Sequence, residues 1–138
     1  MSVMRYIDLE VYKKSFSFAL RIHRATLKFP EFEQTELARQ LRRSSKSIVG
    51  NLVEGTSRFT LSGKEQRRFL ILAVGSKDES KLWLAMSYEL GYLSPDQYKD
   101  LLGQCEEIGK MLYGLWRKHR TRIGSQNVRV KPTGNSCP

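Results

Sequence analysis

Four stretches of this chain place apolar residues three and four positions apart, and short breaks separate them. That rhythm is the signature of one-sided helices, and it restricts the fold more than any other feature. The first stretch carries Leu9, Tyr12, Phe16, Ala19, Leu20, His23 and Leu27, with Asp8 placed to cap it and Pro30 beyond its end. The second carries Leu37, Leu41, Ser45, Ile48 and Leu52 and closes near Gly55, which can take the positive φ of a helix C-terminus. A capping-box spacing, Ser62 to Glu65, opens the third, whose face runs Phe69, Leu72, Ala73, Ser76, Trp83, Met86 and Leu90 before Gly91. Ser94, Pro95 and Gln97 open the fourth, which carries Tyr98, Leu101, Leu102, Cys105, Ile108, Leu112 and Leu115. No stretch sustains the period of two that a strand requires.

The links between these stretches are short: Phe29 to Gln34, Thr56 to Leu61, and Gly91 to Leu93. Short links set successive helices side by side and antiparallel. The expected fold class is therefore all-α, an antiparallel up-down-up-down four-helix bundle over residues 1–120. Helices of roughly 20 residues would be about 30 Å long. After about Thr121 the helical period stops, and residues 121–138 (TRIGSQNVRVKPTGNSCP) read as a flexible basic tail.

The 138 residues suit one core. No apolar run approaches the roughly 20 residues that cross a bilayer, and MSVMRYIDLEVYKK lacks the apolar stretch of a signal peptide. The expectation is a soluble cytoplasmic protein without a membrane partner. Two cysteines, Cys105 and Cys137, and two histidines, His23 and His119, make no ligand spacing, so neither metal nor cofactor is expected. Glu106 and Glu107 lack the Glu-x-x-His pattern of a di-iron bundle. A Gly-rich phosphate loop, a nucleophile beside a base and an HExxH motif are all missing, which points to a non-catalytic protein.

Charge supplies the functional hint. Twenty-four Lys and Arg against fourteen Asp and Glu leave +10. Leu37 to Arg68 holds eight bases and two acids, and Arg117 to the end holds six bases and no acid. These two blocks carry the whole excess, and such blocks suit RNA or DNA phosphates, or less readily an acidic protein. Arg39, Arg42, Arg43 and Lys46 form a stripe at three-and-four spacing, with Glu36 the one nearby acid. Guanidinium forks match phosphate oxygens, so this stripe is the first candidate contact. Lys64, Arg67 and Arg68 near the third helix start, and Arg117, Lys118, Arg120 and Arg122 near the fourth helix end, are further candidates. Ser44, Ser47 and Gly50 make a ridge of small residues that would admit another helix or a second subunit. Asn51 and Glu54 lie one turn apart beside it, where a buried hydrogen bond and a helix-end contact are the ordinary reading.

The segment RRSSKSIVGNLVEG, Arg42 to Gly55, resembles the signature of bacterial four-helix-bundle proteins encoded in intervening sequences of large-subunit rRNA genes. That family is related to the accessory variability determinants of diversity-generating retroelements. The likeness extends to IDLEVYKKS, KEQRRFLILAVGS, ELGYLS and EEIGKMLYGL, in order, and spans roughly residues 5 to 118. Arg42, Arg43, Ser47, Asn51, Glu54 and Gly55 match the signature by type. The resemblance implies a ring-like homopentamer with a basic surface, in retroelements binding a reverse transcriptase and its template RNA or cDNA. The intervening-sequence members have no firmly established activity, and the alternative reading for this chain is a structural or interaction protein that binds RNA or an acidic partner. Lys77 and Ser80 depart from the apolar residues more usual in relatives, and the tail lies outside the likeness.

Overall fold

The computed structural model describes residues 9–57 and 63–124, with the side chains of Ser57 and residues 119–124 excluded. Four helices follow one another: α1 (Glu10–Thr26), α2 (Leu37–Ser57), α3 (Gly63–Glu89) and α4 (Pro95–Gly124). A single 3₁₀ turn, Glu31–Glu33, lies in the first link. Among the described residues α1 touches α2 and α4, α3 touches the same two, and neither diagonal pair meets. The bundle is thus square in section, with α1 opposite α3. The fold is all-α, as the periodicity implied.

Local chemistry sets the ends. Gly91 is the described glycine with positive φ, at 82°. Its N–H donates to Tyr88 O and the Tyr92 N–H to Ser87 O, both at 2.9 Å, a double closure that ends α3. Ser94 and Gln97 cap α4 reciprocally, Gln97 N–H to Ser94 Oγ at 3.1 Å and Ser94 N–H to Gln97 Oε1 at 2.9 Å. Asp8, the expected cap of α1, lies outside the described residues. Leu9, in extended conformation, occupies the N-cap position and makes no side-chain cap. Ser62 lies outside the described residues, as do residues 125–138 of the tail. The last helix runs on past Thr121 to Gly124, because its backbone bonds continue beyond the end of the apolar face.

The core holds most of the expected faces of α2 and α4: Leu37, Leu41, Ile48 and Leu52 of α2 and Leu101, Cys105, Ile108 and Leu112 of α4 are buried in one cluster, which Trp116 joins. On α1 and α3 the buried face differs from the one the spacing suggested. Val11, Phe18, Ile22 and Ala19 turn inward on α1, whereas Phe16, Leu20 and Leu27 are exposed. On α3 Leu70, Ala73, Val74 and Leu84 are buried, whereas Ile71, Leu72, Leu82, Met86 and Leu90 are exposed. Both helices carry apolar residues on two sides, and only one side can enter a four-helix core. The two uncovered stripes point away from each other, since α1 and α3 are diagonal.

The α2–α3 seam is the closest. A Cβ at Gly55 would come within 2.8 Å of Phe69 Cβ and 3.3 Å of Gln66 O, so only glycine fits there. Gly55 is therefore a contact point inside α2, which continues to Ser57, and not the left-handed stop its place in the sequence suggested. Higher on the seam Ser80 Oγ donates to Ser44 Oγ at 2.9 Å and Ser76 Oγ to Ser47 Oγ at 2.8 Å. Ser80 is thus the partner of Ser44. Lys77 lays its stem across α4, where a Cβ on Gly109 would meet its Cε at 2.8 Å.

Candidate nucleic-acid interface

Helical geometry sorts the basic stripe of α2 into two groups. Arg39, Arg43 and Lys46 recur at steps of four and three, and all three are exposed. Gly50 continues the same line another four residues on and is exposed, with open space where a Cβ would stand. Among the described residues none of the three cations makes a hydrogen bond or an ion pair. They are free to meet phosphate oxygens, with Glu36 at the start of the line.

Arg42 does not join them. It is half-buried, and its guanidinium donates to Thr26 Oγ1 and Gln34 Oε1, both at 3.1 Å, and to Gln34 O at 2.8 Å. Gln34 in turn donates to Thr26 O and Phe29 O. Three of its five N–H donors tie the α1–α2 link to α2, which turns Arg42 away from the line of exposed cations. The small-residue ridge is likewise turned inward at Ser44 and Ser47, where α3 covers it, leaving Gly50 as its exposed member. Asn51 donates to Ser47 O at 2.9 Å and Ser47 Oγ at 3.1 Å, one turn back, and Glu54 is half-buried.

The remaining bases lie elsewhere. Lys64 and Arg68 are exposed and Arg67 half-buried in the first turns of α3, level with Gly55 at the far end of α2. Sixteen residues separate Arg39 from Gly55, about 24 Å of helix. Because the helices alternate in direction, the C-terminal part of α4 shares that far end. Arg117 and Lys118 are exposed there, with the Arg117 guanidinium 5.8 Å from the Tyr113 ring centroid. The side chains of Arg120 and Arg122 lie outside the described residues. The candidates therefore form two patches, one on the outer face of α2 and one at the bundle end. A third basic group went unread in the sequence: Arg21, Arg24 and Lys28 line the α1–α4 seam. Their spacing of three and four was there to be seen, masked by the apolar residues among which it is set.

Cys105 is buried and its thiol is pushed up to about 12 by desolvation, which outweighs the opposing pull of Lys77 and Lys81. Tyr92 donates to Glu33 Oε2 at 2.8 Å. Partial burial and then that carboxylate raise its phenol above the ordinary range. Among the described residues no three metal-ligating side chains cluster, and no helix is long and apolar enough to cross a membrane.

The chain is similar to known proteins over most of this bundle. A crystal structure of a protein of unknown function from the S23 ribosomal protein family, from Bacteroides thetaiotaomicron VPI-5482, superposes with a TM-score of 0.69. The two are 28% identical, and the match covers 78% of this chain and 95% of the other. No curated protein sequence matches. The family model for the 23S rRNA-intervening sequence protein matches residues 7–114, from before α1 through the first two thirds of α4, and the chain belongs to that family.

Proposed function

We propose that this protein is a non-catalytic, oligomeric nucleic-acid-binding protein that uses the outer face of α2 to hold phosphates. The observation that carries this reading is the line Arg39–Arg43–Lys46, exposed and without acidic partners among the described residues. Phosphate contacts of this kind position a nucleic acid without reading its sequence. The net charge of +10 adds long-range attraction.

Oligomer formation draws its support from the stripes on α1 and α3. Monomeric proteins rarely leave contiguous apolar faces uncovered. Two different faces on opposite sides suit head-to-tail association, which closes into a ring when the rotation allows. The pentamer implied by the family resemblance is one such ring. A reverse transcriptase is the protein partner that the retroelement relatives suggest, and the match to the rRNA-intervening sequence family favours the RNA-binding setting.

Equilibrium binding tests the reading. The parent protein is expected to bind single-stranded RNA and duplex DNA of unrelated sequence. A variant with Arg39→Ala, Arg43→Ala and Lys46→Ala should weaken on both by a similar factor. Equal affinity of parent and variant for every nucleic acid would refute the α2 face as the contact.

A further inference from the structure

Arg21 and Arg24 on α1 and Lys28 in the turn just after it put three cations along the edge turned toward α4. Together with Ala25, Gln97 and Leu101 they line a cleft of about 360 Å³. Small-ligand sites begin near this volume, at roughly 300 Å³. Bonds cross the seam beside the cleft: Arg21 donates to Gln104 Oε1 at 2.6 Å and to the Asp100 carboxylate. Gln97 spends its Oε1 on the Ser94 N–H, which turns the amide NH₂ to the part left for donation. The side chains of Arg24 and Lys28 make no hydrogen bond or ion pair among the described residues.

Three cations less the one Asp100 carboxylate leave a local charge of +2. A phosphate monoester carries about −1.5 to −2 near pH 7 and offers three acceptor oxygens. A diester inside a strand carries a single negative charge, and it suits an open line such as the α2 face better than a cleft. We propose that this cleft is a phosphate-monoester site, filled by a free mononucleotide or by the phosphorylated end of a strand. Charge-assisted bonds from Arg24, Lys28 and the Gln97 amide would hold the oxygens, with Leu101 and Ala25 as the apolar wall. The strand-end source rests on the nucleic-acid reading above, and the mononucleotide source does not.

Calorimetric titration of the full chain separates the sources. The probes are adenosine monophosphate, adenosine, a single strand of about ten nucleotides with a terminal phosphate, and the same strand ending in hydroxyls. The site predicts binding of the monophosphate and not of adenosine, or about a tenfold preference for the phosphorylated strand over its twin. Monophosphate binding identifies the free nucleotide, and a strand preference without it identifies the strand end. Either signal should vanish in Arg24→Ala/Lys28→Ala and in the bulkier Arg24→Gln/Lys28→Gln. Either should persist in the α2 variant lacking Arg39, Arg43 and Lys46. Absence of both signals in the parent, or their survival in both cleft variants, would overturn the site. Hydroxyl-ended strands that bind the α2 variant as tightly as the parent would count against the α2 reading alone.

Discussion

Arg42 holds Gln34 at two points, donating to its backbone carbonyl at 2.8 Å and to its side-chain Oε1 at 3.1 Å. The neighbouring Arg43 holds nothing among the described residues. Hydrogen bonds to a charged group contribute about 1.5–3 kcal/mol, and a loss of one partner strands the others. Arg42→Ala is therefore expected to lower unfolding free energy by about 2 kcal/mol, and Arg43→Ala by less than about 0.5 kcal/mol. Urea denaturation of the two single variants measures both. Arg42→Lys should not restore the loss, because an ammonium lacks the planar fork.

Two glycines of α2 should respond in opposite directions. At Gly55 the new methyl meets Phe69 Cβ and a backbone carbonyl of α3, neither free to move away. Gly55→Ala is expected to cost about 1–3 kcal/mol by forcing the seam apart. At Gly50 the methyl meets nothing. Gly50→Ala should gain up to about 1 kcal/mol from helix propensity. Thermal or urea melts of the two variants decide between this pattern and equal effects.

Burial of Cys105 makes stability depend on alkaline pH. Its folded-state thiol is raised to about 12, while an unfolded thiol titrates near 8.5. Below the unfolded value both states hold the proton and the stabilisation is fully present. As pH rises above about 8.5 the unfolded chain alone gives up its proton, so stability falls toward pH 12. Cys105→Ala should remove this part of the alkaline decline, and urea melts at pH 8 and pH 10 measure the difference. In a Cys137→Ser background, a maleimide at pH 8 should label Cys105 only after denaturant is added.

The faces of α2 and α4 could be read from the sequence because each has a single apolar side. Leu41, Ile48 and Leu52, or Leu101, Ile108 and Leu112, leave no choice of what to bury. On α1 the pairs Phe16–Leu20 and Phe18–Ile22 compete, and spacing alone does not say which faces the core. The answer depends on where α2 and α4 lie, which is tertiary information. Arg42 shares the spacing of the stripe, but its long side chain reaches back to Thr26 and Gln34 of the α1–α2 link, and no spacing rule encodes that. By position Gly55 reads as the positive-φ residue of a helix C-terminus, whereas the proximity of Phe69 is what requires a glycine there.

The oligomer is expected to use the α1 and α3 stripes as unlike partners. Leu20→Lys and Leu82→Lys each spoil one face and should each give monomers of about 16 kDa by light scattering at micromolar concentration. Mixing the two variants leaves one intact pair of faces and should restore a heterodimer. The parent should be larger, near five times the monomer if the ring is a pentamer. A parent that is monomeric throughout, or single variants that stay dimeric, would contradict head-to-tail assembly.

The most direct measurement of the central claim is the salt dependence of binding to duplex DNA and to single-stranded RNA. Each phosphate neutralised contributes about 0.9 to the slope of log affinity against log salt on duplex, and about 0.7 on single strands. Removing Arg39, Arg43 and Lys46 together should flatten the parent slope by up to about 2.7 on duplex and about 2.1 on single strands, equally for unrelated sequences. An unchanged slope in the triple variant would show that these three side chains only face water, and that the phosphates are held elsewhere.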